Sequence, residues 1–430
     1  MSRIDELKEL KDQSVDYMCD EIKHIIGTFD KRDPGSDGER AAQKYMEEVL
    51  KPLSDETTFE DFKLNPGSFF GWIPITMSFL MASLVVYFFA PLVALVLLII
   101  AIIPMISQFV LYKKLMDPLF KEKTSCNVTA VKKPTGEVKR RIFLNGHADA
   151  TWEWTINYHF GGKAFSGHFL CSIVGVFFYF AIVIAALVMN GVGFNIASDV
   201  TLWLGVASLA FLPFWIGMFF FSNSKVVVDG ANDNLTGCYL PISILKGLKD
   251  LGIELENTEV GVIISGSEEA GLRGAKAWAE AHKGEYQDVP TFIVSYDTIH
   301  ELECLNINDK DLNGLVTVDK DVCELLMEAS DNTGAGATYA TVTVGATDPA
   351  AFVQGGFKSA CITALNHSLQ PYYHTRKDTV DLLDKECLGV VYDMTVEALK
   401  LFDSGKYDGV NINVVKAKGI RKEYKNKKKA

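Results

Sequence analysis

The chain has 430 residues, enough for one large core or two domains. Its hydrophobic fraction is 48% and its formal charge −12, a balance that argues against a nucleic-acid partner. Eight cysteines without a CxxC or regular spacing exclude a disulfide framework and fit free thiols of a reducing compartment.

Residues 2–26 read as a charged, amphipathic helix rather than a cleavable signal peptide. Pro34-Gly35-Ser36-Asp37-Gly38 is a turn that hands over to a helix, Glu39 to Leu50, stopped by Pro52. The apolar residues then come in blocks. Leu64 to Tyr112 holds no Asp, Glu, Lys or Arg, and Phe169 to Ser224 holds only Asp199. Gly71 to Ala90 and Leu92 to Tyr112 are each long enough to cross roughly 30 Å of hydrocarbon. A second pair follows, Phe169 to Met189 and Thr201 to Phe221, joined by Asn190 to Val200. Four such segments in two pairs predict two membrane hairpins, so every soluble segment lies on one side of the bilayer. Lys63, Lys113, Lys114, Lys121, Lys123, Lys163 and Lys225 flank the spans on that side. The outer turns carry no Lys or Arg, and the positive-inside rule places the soluble part in the cytoplasm.

Between the hairpins, Cys126 to Val131 and Arg141 to Leu144 read as strands. Beyond them come Val226 to Val228, a helix over Leu235 to Leu248, a buried strand over Val260 to Ile264, and a helix over Leu272 to His282. Thr291 to Ser295 and Ala360 to Ala364 are further strands, and a last helix covers Lys385 to Phe402. Strands alternating with helices predict an α/β fold whose mixed, largely parallel sheet is flanked by helices. The expected organisation is a discontinuous soluble domain (1–68, 113–168 and 222–415), hairpins at 69–112 and 169–221, and a basic, disordered tail at 416–430.

Several strand ends carry chemistry. After Ile264 the chain breaks at Ser265-Gly266-Ser267 and presents Glu268 and Glu269, adjacent carboxylates that need a cation or a shared proton unless they form a solvated acidic loop. Arg141 to Leu144 runs into Asn145-Gly146-His147-Ala148-Asp149, where His147 and Asp149 share a face, as a ligand and its orienting carboxylate would. Asp233, in Gly230-Ala-Asn-Asp-Asn-Leu-Thr-Gly237, can bridge two cations or, with Asn234, merely cap the next helix. Asp297 ends a third apolar strand, and Tyr373-His374 lies in a polar loop before the final helix. Ligands in open α/β sheets bind beside the carboxyl ends of strands. Two His, two Asp and one Glu, with a second Glu spare, suit paired Zn²⁺.

With these motifs in order, the sequence resembles the co-catalytic di-zinc aminopeptidase family, which includes leucyl aminopeptidases, glutamate carboxypeptidase and glutaminyl cyclase. The resemblance runs through NGHAD, GANDNLTG, SGSEEAGLRGA, SYD, ATDPAAFVQGG and YYHTRKDTVDLL. It implies one zinc held by His147 and Asp297, the other by Glu269 and His374, and Asp233 bridging them. It further implies Glu268 as general base on a metal-activated water, Tyr373 as oxyanion donor, and Asp149 as partner of His147. The implied activity is hydrolysis of peptides from the amino end by a protein embedded in the lipid bilayer. Two departures stand out: Asp149 and Asp233 lie 84 positions apart, much of it the second hairpin, and no His follows Asp348. A lid-bearing carboxypeptidase would need more than the 77 positions between Asp297 and His374. A catalytically dead membrane-anchored interaction module, a single-zinc cyclase and a non-peptide amidohydrolase are the alternatives. A transporter is disfavoured by spans without intramembrane charge.

Overall fold

The computed structural model describes residues 3–191, 199–366 and 368–428. A 3₁₀ turn and α1 (Lys11–Thr28) precede α2 (Asp37–Leu50), which starts where Ser36 accepts the Glu39 N–H at 3.1 Å. The edge strand β1 (Glu56–Leu64) leads into α3 (Ser68–Tyr87) and α4 (Pro91–Pro104), the latter extended to Val110 by a wide turn. β2 (Lys123–Lys132), β3 (Arg140–His147) and β4 (Trp152–Trp154) follow. Next come α5 (Thr155–Asn190), α6 (Asp199–Ser208), α7 (Leu212–Gly217) and β5 (Ser222–Val227). The remainder is α8 (Thr236–Asp250), β6 (Thr258–Ser265), α9 (Arg273–Ala281), β7 (Thr291–Ile299), β8 (Leu305–Asp311) and β9 (Val316–Thr317). It ends with α10 (Lys320–Thr333), β10 (Thr338–Thr341), α11 (Asp348–Gln354), β11 (Lys358–Ala364), α12 (Lys385–Asp403) and α13 (Ile420–Lys427).

The main sheet runs β1-β2-β6-β3-β7-β11-β8-β10, with β9 added to β8. Its middle, β6-β3-β7-β11, is parallel, and β2 and β8 flank it antiparallel. The sheet is therefore mixed and largely parallel at its centre, with helices on both faces. All eight residues of β6 are buried, as a central strand covered on both sides requires. The register sets His147 beside Ser265 and Asp297 beside Thr363, so the ligand-bearing turns open on one edge. Gly146 and Gly237 let β3 and the start of α8 touch. A Cβ on Gly146 would collide with the Gly237 carbonyl.

Four helical stretches are long and apolar enough to cross a membrane: Ser68–Tyr87, Pro91–Val110, Thr155–Asn190 and Asp199–Phe220. They share their own core, with Leu80, Leu98, Tyr179 and Trp215 fully buried. Their outer faces expose Phe89, Phe177, Val188 and Trp203, an apolar belt compatible with a lipid surround.

Three expectations change. The third apolar helix starts at Thr155, not Phe169, because its first turns belong to the soluble body; Gly161 (φ 80°) breaks it there. Strand β5 leaves the main sheet and pairs with β4 in a two-stranded ribbon, since the hairpin between them carries both away from the sheet. The tail is ordered through α13: Ile420 is buried and Arg421 pairs with Asp309, so its basic charge is used against the body. Most of the second outer turn, in Asn190 to Val200, falls at 192–198, outside the described residues.

Candidate metal centre

His147 closes β3 and turns its ring towards Asp149 on one side and Asp233 on the other. Nδ1 lies 3.3 Å from Asp149 Oδ1, and Nε2 lies 3.4 Å from Asp233 Oδ1. His374 arrives from the loop before α12, with Nε2 at 2.9 Å from Asp233 Oδ2 and 3.2 Å from Glu269 Oε1. Asp233 thus faces one imidazole with each oxygen. Two donor groups result, His147–Asp233–Asp297 and Asp233–Glu269–His374, each with its ligand atoms within 4.8 Å of one another. Glu268 belongs to neither group, yet its Oε2 is 4.0 Å from His147 Nε2. The residues quoted from five separate motifs are brought to one place.

Backbone geometry holds them there. Asp149 accepts the N–H of Glu268 at 2.9 Å and of Glu269 at 3.0 Å, so it fixes the Glu-Glu turn as well as the His147 ring. Asp233 does not cap α8. Asn234 does so instead, its Oδ1 accepting Gly237 N–H at 3.0 Å. Asp233 is presented by Asp378, whose carboxylate accepts the Asn232 and Asp233 N–H groups, each at 3.0 Å. Because β5 is outside the main sheet, Asp233 reaches the centre through this loop rather than from a sheet-strand end.

The donors suit a cation. Asp233 Oδ2 and Glu269 Oε1 are buried without a directed hydrogen bond. Burial raises the Glu268 and Glu269 carboxyls, and with nearby Asp233 it pushes Asp297 up to about 7. Burial disfavours protonation of His374, yet Glu269 and Asp233 outweigh it and raise the ring to about 10. His147 is raised against burial in the same way, chiefly by Asp149 and Asp233. Clustered carboxylates that pull protons onto themselves and their histidines are a site short of positive charge. Mixed nitrogen and oxygen donors around a shared carboxylate fit zinc.

Tyr373 stacks on His374, ring centroids 4.0 Å apart, and shares a cavity of about 350 Å³ with Asp233, Glu268 and Glu269. The charged residues lining it are carboxylates and His374; no Lys or Arg is among them. Asp348, which no His follows, is buried and accepts Ser265 Oγ at 2.5 Å, while its neighbour Thr347 lines the cavity wall.

Sequence reasoning gave no role to Glu39, Asp378 or Arg273. Glu39 is buried and accepts Ser267 N at 2.6 Å, Gly35 N at 2.7 Å and Ser125 Oγ at 3.0 Å. It pins the start of the Glu-Glu turn from a helix end far away in the chain. Its one local signal is the spacing from Ser36, which reads equally well as an ordinary helix start. Asp378 was visible four positions after His374, although nothing in the spacing says that it faces the Asp233 backbone.

The model of peptidase family M28 matches residues 220–399. Among curated proteins none matches the chain by sequence. Among solved structures, a zinc aminopeptidase from Bacillus subtilis aligns with a TM-score of 0.54 at 12% identity, over 94% of this chain and 98% of that one. An aminopeptidase from Aneurinibacillus sp. strain AM-1 aligns with a TM-score of 0.52 at 14% identity, over 90% and 93%. A glutaminyl cyclase from Bacteroides thetaiotaomicron gives 0.52 at 14% identity, over 89% and 96%. At these identities the structures show a common fold, and the M28 match adds a sequence link through Asp233, the Glu pair, Asp297 and His374. Taken with the motif order, they make the chain similar to the zinc-aminopeptidase-like proteins of peptidase family M28, with the family match running over residues 220–399.

Proposed function

We propose that the chain is a membrane-integral di-zinc aminopeptidase whose catalytic body faces the cytoplasm. The observation that carries this reading is the pair of donor groups sharing Asp233, with Glu268 beside them and in neither. His147 and Asp297 would hold one zinc, Glu269 and His374 the other, and Asp233 both. Bound zinc supplies Lewis-acid polarisation of the amide carbonyl and a water acidic enough to attack near neutral pH. Glu268 takes a proton from that water and passes it to the leaving amine. Burial holds the Glu268 carboxyl well above its usual range, which suits a group that must both accept and return a proton. The Tyr373 hydroxyl donates to the developing oxyanion. Asp149 keeps the base and the His147 ring in mutual register.

A cavity without Lys or Arg offers no partner to a substrate carboxylate, whereas its carboxylates suit an α-amine; this supports cleavage from the amino end. Shared fold with a glutaminyl cyclase favours a second reading, cyclisation at a single zinc, and the second donor group speaks against it.

The test is to purify the full chain, count zinc, and assay amino-acid arylamides with the wild type and Glu268→Gln. Zinc near two per chain, with turnover reduced about 10²–10⁴-fold in the variant, is expected. Absence of zinc, or unchanged turnover in Glu268→Gln, refutes the reading. Ammonia release from glutaminyl peptides without arylamide hydrolysis would select the cyclase. Reporter fusions in the 192–198 turn test the orientation.

A further inference from the structure

The cavity over the metal centre does not end in the soluble body. Its walls continue into Phe70 and Ile73 of α3 and Phe165, Phe169 and Ile173 of α5, all within helical stretches able to cross a membrane. Ile73 lies five residues into α3, about 8 Å along it. One space of about 350 Å³ therefore joins Glu268, Asp233 and His374 to the interior of the apolar helix bundle.

Three features say what fits. First, the part formed by the helices is hydrocarbon and aromatic, with the Ser166 hydroxyl and the Trp72 indole N–H as its side-chain polar groups. A peptide entering there would carry an N–H and a C=O per residue with nothing to pair them. A hydrocarbon chain carries none. Second, the mouth is apolar and open: Leu170 on α5 is 61% exposed and Val344 on the facing loop 57%. Asn313 ties that loop to the end of α4, donating to the Phe109 carbonyl at 2.9 Å. Third, the volume is right. A cavity of about 150 Å³ accepts benzene, so this one holds about a dozen apolar heavy atoms.

We propose that the substrate is an amphiphilic amide bearing one long alkyl or acyl chain, taken from the lipid phase, with the chain lodged between α3 and α5 and the amide at the metal centre. The proposal rests on the zinc-hydrolase reading and on the helices being membrane spans. Hydrolysis breaks the C–N bond, water giving OH to the carbonyl carbon and H to the nitrogen.

The test uses the full chain in lipid nanodiscs with two substrate series of four to fourteen carbons. Alanyl n-alkylamides carry the chain on the leaving amine, and N-acylalaninamides, which have no carboxylate, carry it on the carbonyl. In one series kcat/KM, referred to total substrate in water so that the water-to-lipid step is included, should rise about three- to fourfold per methylene until the cavity is full. Ile173→Trp and Ile73→Trp should move the optimum to shorter chains. Flat profiles in both series, or an optimum unmoved by both variants, overturn the proposal, while hydrolysis of short arylamides would leave the peptidase reading intact. Binding gives a readout without turnover. A long-chain ketone brominated along the chain should quench Trp72, which lines the cavity, and the quench should shrink in Trp72→Phe. No quenching overturns the proposal even in a preparation that hydrolyses nothing. So does cleavage of an apolar membrane-spanning peptide with neither alkyl series turned over.

Discussion

The two apolar hairpins meet the catalytic body at different feet, and the feet are built differently. Around the first, Arg273 grips Asp117 through two nitrogens, at 2.9 and 2.8 Å, and also donates to the Ala270 carbonyl. Ser68, at the start of α3, donates to the same Asp117 at 2.7 Å. Lys276 bonds the carbonyls of Tyr112, just after α4, and Gly271, each at 2.7 Å. That foot is a clamp of buried charge on the turn that bears Glu268 and Glu269. The second foot combines an ion pair, Arg376 on buried Glu153 at 2.6 and 2.7 Å, with neutral groups at the catalytic loop. Trp154 N–H donates to the His374 carbonyl at 2.8 Å, Asn157 Nδ2 to the Tyr373 carbonyl at 2.7 Å, and the Trp154 ring meets His374 edge-on at 4.3 Å. One hairpin thus sets the backbone of the acidic turn, and the other sets a ring and a loop. Both partners of the first foot's ion pair are buried, whereas Arg376 in the second stays half-exposed.

Arg273→Met should have the largest effect, leaving Asp117 buried and unpaired at a cost of about 3–5 kcal/mol. Thermal unfolding in detergent should shift strongly, and turnover should fall with it. A stability close to wild type would mean that the first foot is no clamp. Tyr373→Phe probes the second foot's chemistry without disturbing Asn157, which binds only backbone there. It should lower kcat about 10²–10³-fold with zinc content unchanged; a wild-type kcat would remove Tyr373 from the oxyanion role. Asn157→Ala strips donors from the Gln370 and Tyr373 carbonyls, costing about 1–3 kcal/mol. Zinc content in that variant should drop from near two towards one as His374 loosens, and zinc unchanged at two would show the loop to be held elsewhere.

A further effect is on pH. Burial, aided by Arg273, Lys114 and Lys113, brings Lys276 down to about 7 from 10.5. Between those values the unfolded chain binds the proton and the folded chain does not, so stability rises with pH across that window. Lys276→Met should flatten the rise in thermal midpoint between pH 7 and 10. An unchanged slope would assign it to other groups.

The α/β class, the paired apolar spans and the order of the ligand turns were legible in the sequence, because each rests on local signals: hydrophobic period, length, and carboxylates at the ends of apolar runs. The sharing of Asp233 between two donor groups came from family resemblance; the residues alone allowed a helix cap as readily. The departures are all tertiary. Nothing local says that β5 leaves the sheet with β4, since that depends on where a hairpin inserted between them exits. Nothing local says that a basic tail finds Asp309, or that Glu39 crosses the fold to hold Ser267. Arg273 stood inside a quoted motif, yet its partner Asp117 lies across an apolar hairpin in sequence. No spacing rule reaches that far.

Asp149 uses both oxygens at once: Oδ1 serves the His147 ring and the Glu268 N–H, and Oδ2 serves the Glu269 N–H. The Glu268 turn, the His147 ring and the Glu269 backbone therefore hang from a single peg. A disturbance arriving through either foot shifts the three together and leaves their mutual distances nearly intact. The centre can therefore move with the apolar helices as one unit without being retuned by them.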